Sequence, residues 1–238
     1  QADYLLRKEK FTEGRDALLK AIDAGNKDFM LWERLMFIDN DLQDWTALEK
    51  HSKQATEMYP NQPNSYLLSG VASIQLEKYD DAISVLDEGY DFIVDNQPLK
   101  GQFLMLKGEA VYKKGNIDEA FKLFDRSLEL YPDNFVGLNN YAYYLSLVNR
   151  DLDKAERMSA KVIAQFPDNE TYLDTYAWVL FKKGNYTLAK FYMETALKSG
   201  GENNPVMLEH YGDILFMLDK LTEAKQYWEK AKDNGGTS

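Results

Sequence analysis

Residues 136–201 carry the same pattern of small and large apolar positions twice. Ala142 and Ala155 in the first copy correspond to Ala177 and Ala189 in the second, 35 and 34 positions later. Each alanine lies in a stretch of helical periodicity, where a small residue lets two helix backbones approach closely and larger apolar residues fill the space beside it. Polar or glycine-containing breakers separate the two stretches of each copy. The pattern therefore predicts a unit of two antiparallel helices, written twice.

The same unit extends over the rest of the chain. One position, held by alanine or leucine, recurs in every copy and lies at Leu48, Ala82, Ala120, Ala155, Ala189 and Ala224. The full units are predicted at about residues 28–60, 63–97, 98–132, 133–167, 168–203 and 204–234, after a partial unit at residues 1–27. We expect about thirteen or fourteen helices from this pattern.

Two departures from the regular spacing lead to specific expectations. In the partial first unit, Thr12 is predicted to cap a second helix, after a short first helix at residues 3–10. Between Ala82 and Ala120 the spacing rises to 38 positions. The extra residues are expected to lengthen a helix or a loop without interrupting the array.

The unit resembles the tetratricopeptide repeat, a helix pair of about 34 residues with the signature W-x2-L-G-x2-Y, then A-x3-F, an alanine and a proline. The match is carried by Trp32, Leu35, Pro60, Gly108, Gly115, Ala120, Phe124, Pro132, Tyr211, Gly212, Ala224, Trp228 and Ala231. The resemblance implies an all-α fold, a right-handed superhelical solenoid of antiparallel helix pairs that forms one domain over residues 1–238. Met36 stands where the family prefers glycine, so looser packing is expected in that unit.

Composition narrows the classes of partner. The net charge is −11 and the pI is about 4.8, whereas nucleic-acid binding needs clustered Lys and Arg. We therefore predict no nucleic-acid partner, and expect a protein or peptide with basic or apolar side chains. No apolar run reaches the roughly 18 residues of a membrane-spanning helix. The absence of cysteine excludes disulfides and thiolate metal sites.

No constellation of residues predicts catalysis, a cofactor or a metal ion. The two histidines, His51 and His210, lie in different units, and His210 lacks the second histidine of an H-E-x-x-H motif. We interpret both as solvated or hydrogen-bonded structural residues. The acidic residues around Asp80 and Asp87 lack the loop of a calcium site. The sequence therefore favours a protein that is not an enzyme.

The resemblance directs attention to the first helix of each repeat, because these helices line the concave face in this family. The candidate groove residues are Met105, Glu109, Tyr112, Asn140, Tyr144, Asp174, Trp178, Phe181, Glu209, Asp213 and Phe216. They combine aromatic with acidic side chains, which suit an extended peptide or helix that bears Lys or Arg. The alternative is that some of these aromatic side chains only pack between repeats.

The last third of the chain has a further resemblance. Residues 138–146, 152–156 and 172–181 are similar to the C-terminal repeats of large bacterial proteins of this family, many of which carry an export or lipoprotein signal. This similarity favours the bacterial periplasm or envelope over the cytoplasm. The sequence begins with Gln1 inside a predicted helix, and we interpret it as part of a longer chain.

We therefore predict a protein–protein interaction scaffold without catalysis. One alternative is a structural module that self-associates through the ends of the array, where Trp228 is either covered within its own hairpin or left open. The other is a regulatory segment of a larger enzyme or envelope complex.

Overall fold

A computed structural model describes residues 2–236, with side chains from Lys10 onward, and this part of the chain contains thirteen α-helices, one short 3₁₀ turn and no strand. The helices are α1 (Ala2–Asp23), α2 (Phe29–Asp41), α3 (Trp45–Met58), α4 (Pro63–Gln75), α5 (Tyr79–Asp91), α6 (Gln97–Lys113), α7 (Ile117–Leu130), α8 (Phe135–Leu147), α9 (Leu152–Gln165), α10 (Glu170–Lys182), α11 (Tyr186–Lys198), α12 (Pro205–Met217) and α13 (Leu221–Asp233). The 3₁₀ turn is Gly201–Asn203. The predicted all-α class is confirmed.

Contacts divide the chain into two compact units, which separate between Pro132 and Asp133. Unit 1 contains α1–α7, and unit 2 contains α8–α13. From α2 onward, successive helices form hairpins: α2–α3, α4–α5 and α6–α7 in unit 1, and α8–α9, α10–α11 and α12–α13 in unit 2. Within each unit the first helices of neighbouring hairpins also contact one another. We call these first helices A helices and their partners B helices.

A shared turn closes every hairpin. It contains one residue in the left-handed backbone conformation, and these residues are Gln43, Glu77, Gly115, Asn149, Gly184 and Asp219, with φ between 53° and 88°. A left-handed residue ends one helix and redirects the chain, and glycine or asparagine takes this conformation at the lowest cost. Gln43 and Glu77 therefore hold a strained conformation in unit 1.

The interior of each hairpin is built on two positions that lie 16 residues apart, one on each helix. The six pairs are Met36 with Ser52, Gly70 with Leu86, Gly108 with Phe124, Ala142 with Met158, Ala177 with Met193, and Gly212 with Trp228. A Cβ added at any of the three glycines would stand 2.4–2.6 Å from the large B-helix side chain. A small residue on one helix is thus matched by a large residue on the other, which keeps the interior filled.

The sizes are reversed in the α2–α3 hairpin. Met36 takes the A-helix position and Ser52 the B-helix position, and neither has exposed surface. A small serine opposite the large methionine keeps the two positions matched in size, and the looser packing expected in this unit stays a prediction.

The two departures in spacing also have structural outcomes. α1 runs without a break, so the prediction that Thr12 caps a second helix is wrong. The neighbouring residues include no proline, and the single Gly14 is tolerated inside a helix at a cost of about 1 kcal/mol. The extra residues before Ala120 lengthen a helix as predicted, because α6 has 17 residues where α4 has 13.

Candidate functional site

Most of the candidate groove residues lie on the A helices of unit 2. They are Asn140 and Tyr144 on α8, Asp174, Trp178 and Phe181 on α10, and Glu209, Asp213 and Phe216 on α12. Helix α10 contacts both α8 and α12, and on each helix the candidates recur at three- or four-residue spacing, which places them on one side of the helix. We call this set of eight residues the A face of unit 2.

An aromatic stack lies at the middle of the A face. The Trp178 ring stacks on Phe181, with centroids 4.7 Å apart, and on the imidazole of His210, 3.9 Å away. The ammonium nitrogen of Lys182 lies 4.7 Å from the Trp178 ring centroid, within the range of a cation–π interaction. The stack joins α10 to α12, because His210 belongs to the next A helix.

Two hydrogen bonds fix the acidic side chains around this stack. Nδ1 of His210 lies 2.8 Å from Oδ1 of Asp174, which holds the imidazole against Trp178. Nε1 of Trp228 donates to Oδ1 of Asp213 at 3.1 Å, so the indole is tied to its own hairpin, where it is half-buried. Burial raises the pKa of the Asp213 carboxyl above its ordinary value, although the bond from Trp228 opposes this shift.

The A face is not uniformly accessible. Trp178 and Tyr144 are 7% and 8% exposed, so each presents only an edge. Phe216 is 49% exposed, and Phe181, Glu209 and Asp213 are half-buried. The accessible part of the face is therefore the region where α10 and α12 meet.

The remaining candidates lie on α6 in unit 1. Met105 is 7% exposed and belongs to the interior. Tyr112 stacks on Phe121 with centroids 6.2 Å apart, and burial raises the pKa of its hydroxyl. Glu109 is half-buried on the same helix. These three side chains therefore belong to unit 1, and the A face of unit 2 does not include them.

A charged network in unit 1 was missed by the sequence reasoning. Nδ1 of His51 lies 2.6 Å from Oδ2 of Asp39, which has no exposed surface. Arg15 approaches the same carboxylate at 3.5 Å and donates to Oδ2 of Asp44 at 2.8 Å. The bond from Arg15 lowers the pKa of Asp44. The network joins α1, α2 and α3, and both histidines of the chain are hydrogen-bonded within the fold, as predicted.

From Lys10 to residue 236, no group of three or more His, Asp or Glu side chains is arranged to hold a metal ion. Across the same residues, no helix has both the length and the apolar character needed to cross a membrane.

Sequence comparison identifies the repeat. Residues 101–134, 123–157 and 171–199 each match a family described as tetratricopeptide repeat. Over these residues the chain is built from tetratricopeptide repeats. The resemblance seen in the sequence is thereby confirmed, whereas a bacterial source and a lipoprotein anchor stay predictions. No curated protein matches the chain in sequence.

Several solved structures share this fold. MamA from Desulfovibrio magneticus RS-1, from residue 41 to its end, is 17% identical with a TM-score of 0.60, and the match covers 72% of this chain and 94% of MamA. PilF from Pseudomonas aeruginosa is 17% identical with a TM-score of 0.63, covering 74% of this chain and 78% of PilF. A chain of the APC/C hetero-tetramer Cut9–Hcn1 is 12% identical with a TM-score of 0.80, covering 96% of this repeat protein and 43% of that chain. At these identities the likeness shows the fold.

Tetratricopeptide repeats are in general non-catalytic modules of protein–protein interaction. The family matches therefore support an interaction scaffold as the general role of this chain.

Proposed function

We propose that the protein is a non-catalytic scaffold and that the A face of unit 2 binds an extended or helical segment of a partner protein. The observation that carries this proposal is the exposed Phe216 ring beside two carboxylates, Glu209 and Asp213, on one A helix. An apolar platform next to negative charge suits a segment in which apolar and basic side chains alternate.

The charge of the chain supports the same class of partner. The net charge of −11 attracts a basic segment from a distance and raises its association rate. Close to the surface, the raised pKa of Asp213 reflects a carboxylate that has lost part of its hydration and would gain from a cationic partner. The ammonium nitrogen of Lys182 already lies 6.0 Å from the centroid of the half-buried Phe181 ring, and a basic partner side chain would compete for that ring.

The buried members of the A face have a supporting role in this proposal. Trp178 stacks on both Phe181 and His210, and this stacking fixes the position of the Phe181 ring at the surface. Its Nε1 is buried and has no hydrogen-bond acceptor in the described part of the chain. An unpaired buried donor costs about 1–3 kcal/mol, and because the atom is covered, Trp178 supports the surface rather than pairs with a bound segment.

Peptide selection followed by affinity measurement tests the proposal. Peptides displayed on phage are selected on the wild-type protein, and the Kd of the enriched sequences is measured by fluorescence anisotropy. We expect enriched peptides that combine aromatic or branched side chains with Lys or Arg. Phe216→Ala should weaken them about tenfold, since burying half of a phenylalanine side chain is worth about 1–1.5 kcal/mol. Glu209→Gln should weaken them about twofold to fivefold.

A matched control variant on a B helix tests whether the loss of affinity is specific to the A face. Phe191 on α11 is 59% exposed, close to the exposure of Phe216, and Phe191→Ala should leave the Kd unchanged. Equal loss of affinity in Phe191→Ala and Phe216→Ala would refute the assignment to the A face. Selection of acidic peptides would refute the predicted chemistry of the partner.

A further inference from the structure

A polar pocket of about 600 Å³ lies in unit 1, on the side of the B helices. Its walls come from α3 and α5, the B helices of two neighbouring hairpins, and its floor comes from α4. Ser69 and Ser73 form part of this floor and are 8% and 3% exposed. None of the candidate groove residues lines this pocket, so it is separate from the A face of unit 2.

The serines of the floor lack the bonds that most other buried serines make, as does the fully covered Ser65 one turn earlier on α4. Ser52, Ser127 and Ser159 each donate to a backbone carbonyl. By contrast, Ser69 and Ser73 make no side-chain hydrogen bond to any residue from Lys10 to residue 236. Both hydroxyl oxygens open into the pocket rather than being sealed in the interior, so they are available to pair with a ligand that carries polar groups.

The repeat supplies an internal comparison for this pocket. An apolar groove of about 400 Å³ in unit 2 occupies the equivalent place between α9 and α11. Tyr176 and Tyr192 of that groove lie 107 positions after Ser69 and Val85. The two tyrosine rings pack edge to face, 4.7 Å apart. The groove in unit 1 stays open because a serine stands where unit 2 has a tyrosine.

The rim of the pocket is acidic. Glu49, Glu57, Asp81 and Glu88 contribute four carboxylates, and Lys53 is the one basic residue of the lining. Lys78, which lies just outside, donates to both carboxylate oxygens of Glu49 at 2.6 and 2.7 Å. Glu57, Asp81 and Glu88 make no ion pair with any residue from Lys10 to residue 236, so the rim keeps a negative charge. The tyrosine hydroxyl of Tyr66, also in the lining, lies beside Glu88.

We infer that this pocket binds an organic cation, a guanidinium or primary ammonium group on a flexible stem, with the charged head between the carboxylates and the serine hydroxyls. The carboxylates neutralise the cation, and the hydroxyls accept its N–H groups, as charge-assisted bonds require. The volume is sufficient for a whole arginine or lysine side chain. The same chemistry is found in a free polyamine-like metabolite and in a basic side chain of a protein segment, and the two sources are separated by experiment.

The experiment uses the ¹⁵N-labelled chain and two probes, agmatine and the peptide acetyl-Gly-Arg-Gly-amide, each titrated by NMR. We expect localised shifts of the Ser69, Ser73 and Val85 amides, and no shifts at Tyr176 and Tyr192. Tighter binding of agmatine would assign a free cation, and tighter binding of the peptide would assign a protein segment. Shifts at neither set of amides, or equal shifts at both, would overturn the inference.

Two kinds of variant test the pocket itself. Ser69→Tyr reproduces the residue of unit 2 and should abolish the shifts by filling the floor. Asp81→Asn combined with Glu88→Gln changes only exposed residues and should weaken binding about tenfold without disturbing the interior. Asp91→Asn removes a charge from the same helix outside the pocket and should have no effect. Binding that survives both pocket variants, or is lost equally in Asp91→Asn, would contradict the assignment.

Discussion

Replacement of Gly108 by alanine is expected to destabilise the α6–α7 hairpin, although alanine is the better helix former. The new Cβ would stand 2.6 Å from Cε1 and 2.7 Å from Cδ1 of Phe124. Phe124 has no exposed surface into which its ring could move. Overpacking a filled interior costs about 1–3 kcal/mol, and alanine in place of a helical glycine returns about 1 kcal/mol. With a ring that cannot yield, we expect a net loss of about 1–2 kcal/mol.

The other hairpins indicate which second change should relieve this clash. Ala142 and Ala177 stand at the position of Gly108 in unit 2, and each is matched by methionine rather than phenylalanine on the B helix. Phe124→Met alone should cost under about 1.5 kcal/mol. The double variant, Gly108→Ala with Phe124→Met, should lose less than the sum of the single losses, by about 1 kcal/mol.

Native-state hydrogen exchange is the suitable assay, because a repeat array does not unfold in a single step and local opening must be measured in the hairpin itself. Amides of α6 and α7 should exchange about fivefold to thirtyfold faster in Gly108→Ala, since about 1.4 kcal/mol corresponds to a tenfold change. In the double variant the exchange should be about fivefold slower than the two single effects combined would give. Slower exchange in Gly108→Ala, or strictly additive effects in the double variant, would refute the size matching of the two positions.

Three further changes have expected outcomes. Glu77→Gly relieves a left-handed backbone with φ of 58° and should raise the free energy of unfolding by about 0.5–1 kcal/mol, measured by urea denaturation. Asp39→Ala removes the buried partner of His51 and should cost about 3 kcal/mol or more in the same assay. Because burial raises the pKa of Asp213, the folded state holds this proton more tightly than the unfolded state, so stability should fall as pH rises from the ordinary carboxyl pKa through the raised one. Asp213→Asn, whose amide oxygen can still accept from Trp228, should remove this pH dependence without lowering the melting midpoint at pH 7, as measured by thermal denaturation.

The hairpins could be predicted from the sequence because their interiors depend on residue size at regular spacing. A buried alanine such as Ala189 marks a close helix crossing wherever it occurs. The start of the chain was predicted less well, since Thr12 is compatible with a helix cap and with a helix interior. The structure places it inside α1, and Arg15 of that helix bonds to Asp44. This contact between distant residues could not be inferred from local pattern.

For the candidate site too, the sequence predicts the helix on which a residue lies but not the side chains that surround it. The repeat spacing predicts that Trp178 lies on an A helix, and it does. Its low exposure follows from His210, which stacks on it from the next repeat, and no local pattern reports such a neighbour. The pocket floored by Ser69 was not predicted either. In the sequence, the pocket is marked only by a serine at the position where unit 2 has Tyr176. This difference indicates a pocket only when the packing between neighbouring B helices is known.

The most direct test of the account is a hydrogen-exchange footprint of the protein with a selected basic and apolar peptide bound. We predict slower exchange in α10 and α12, at residues 170–182 and 205–217, and unchanged exchange in the B helices α11 and α13. Phe216→Ala should remove this protection at the same peptide concentration. Protection centred on α11 and α13, or protection of the A helices that persists in Phe216→Ala, would contradict the proposal that the A face of unit 2 is the binding surface.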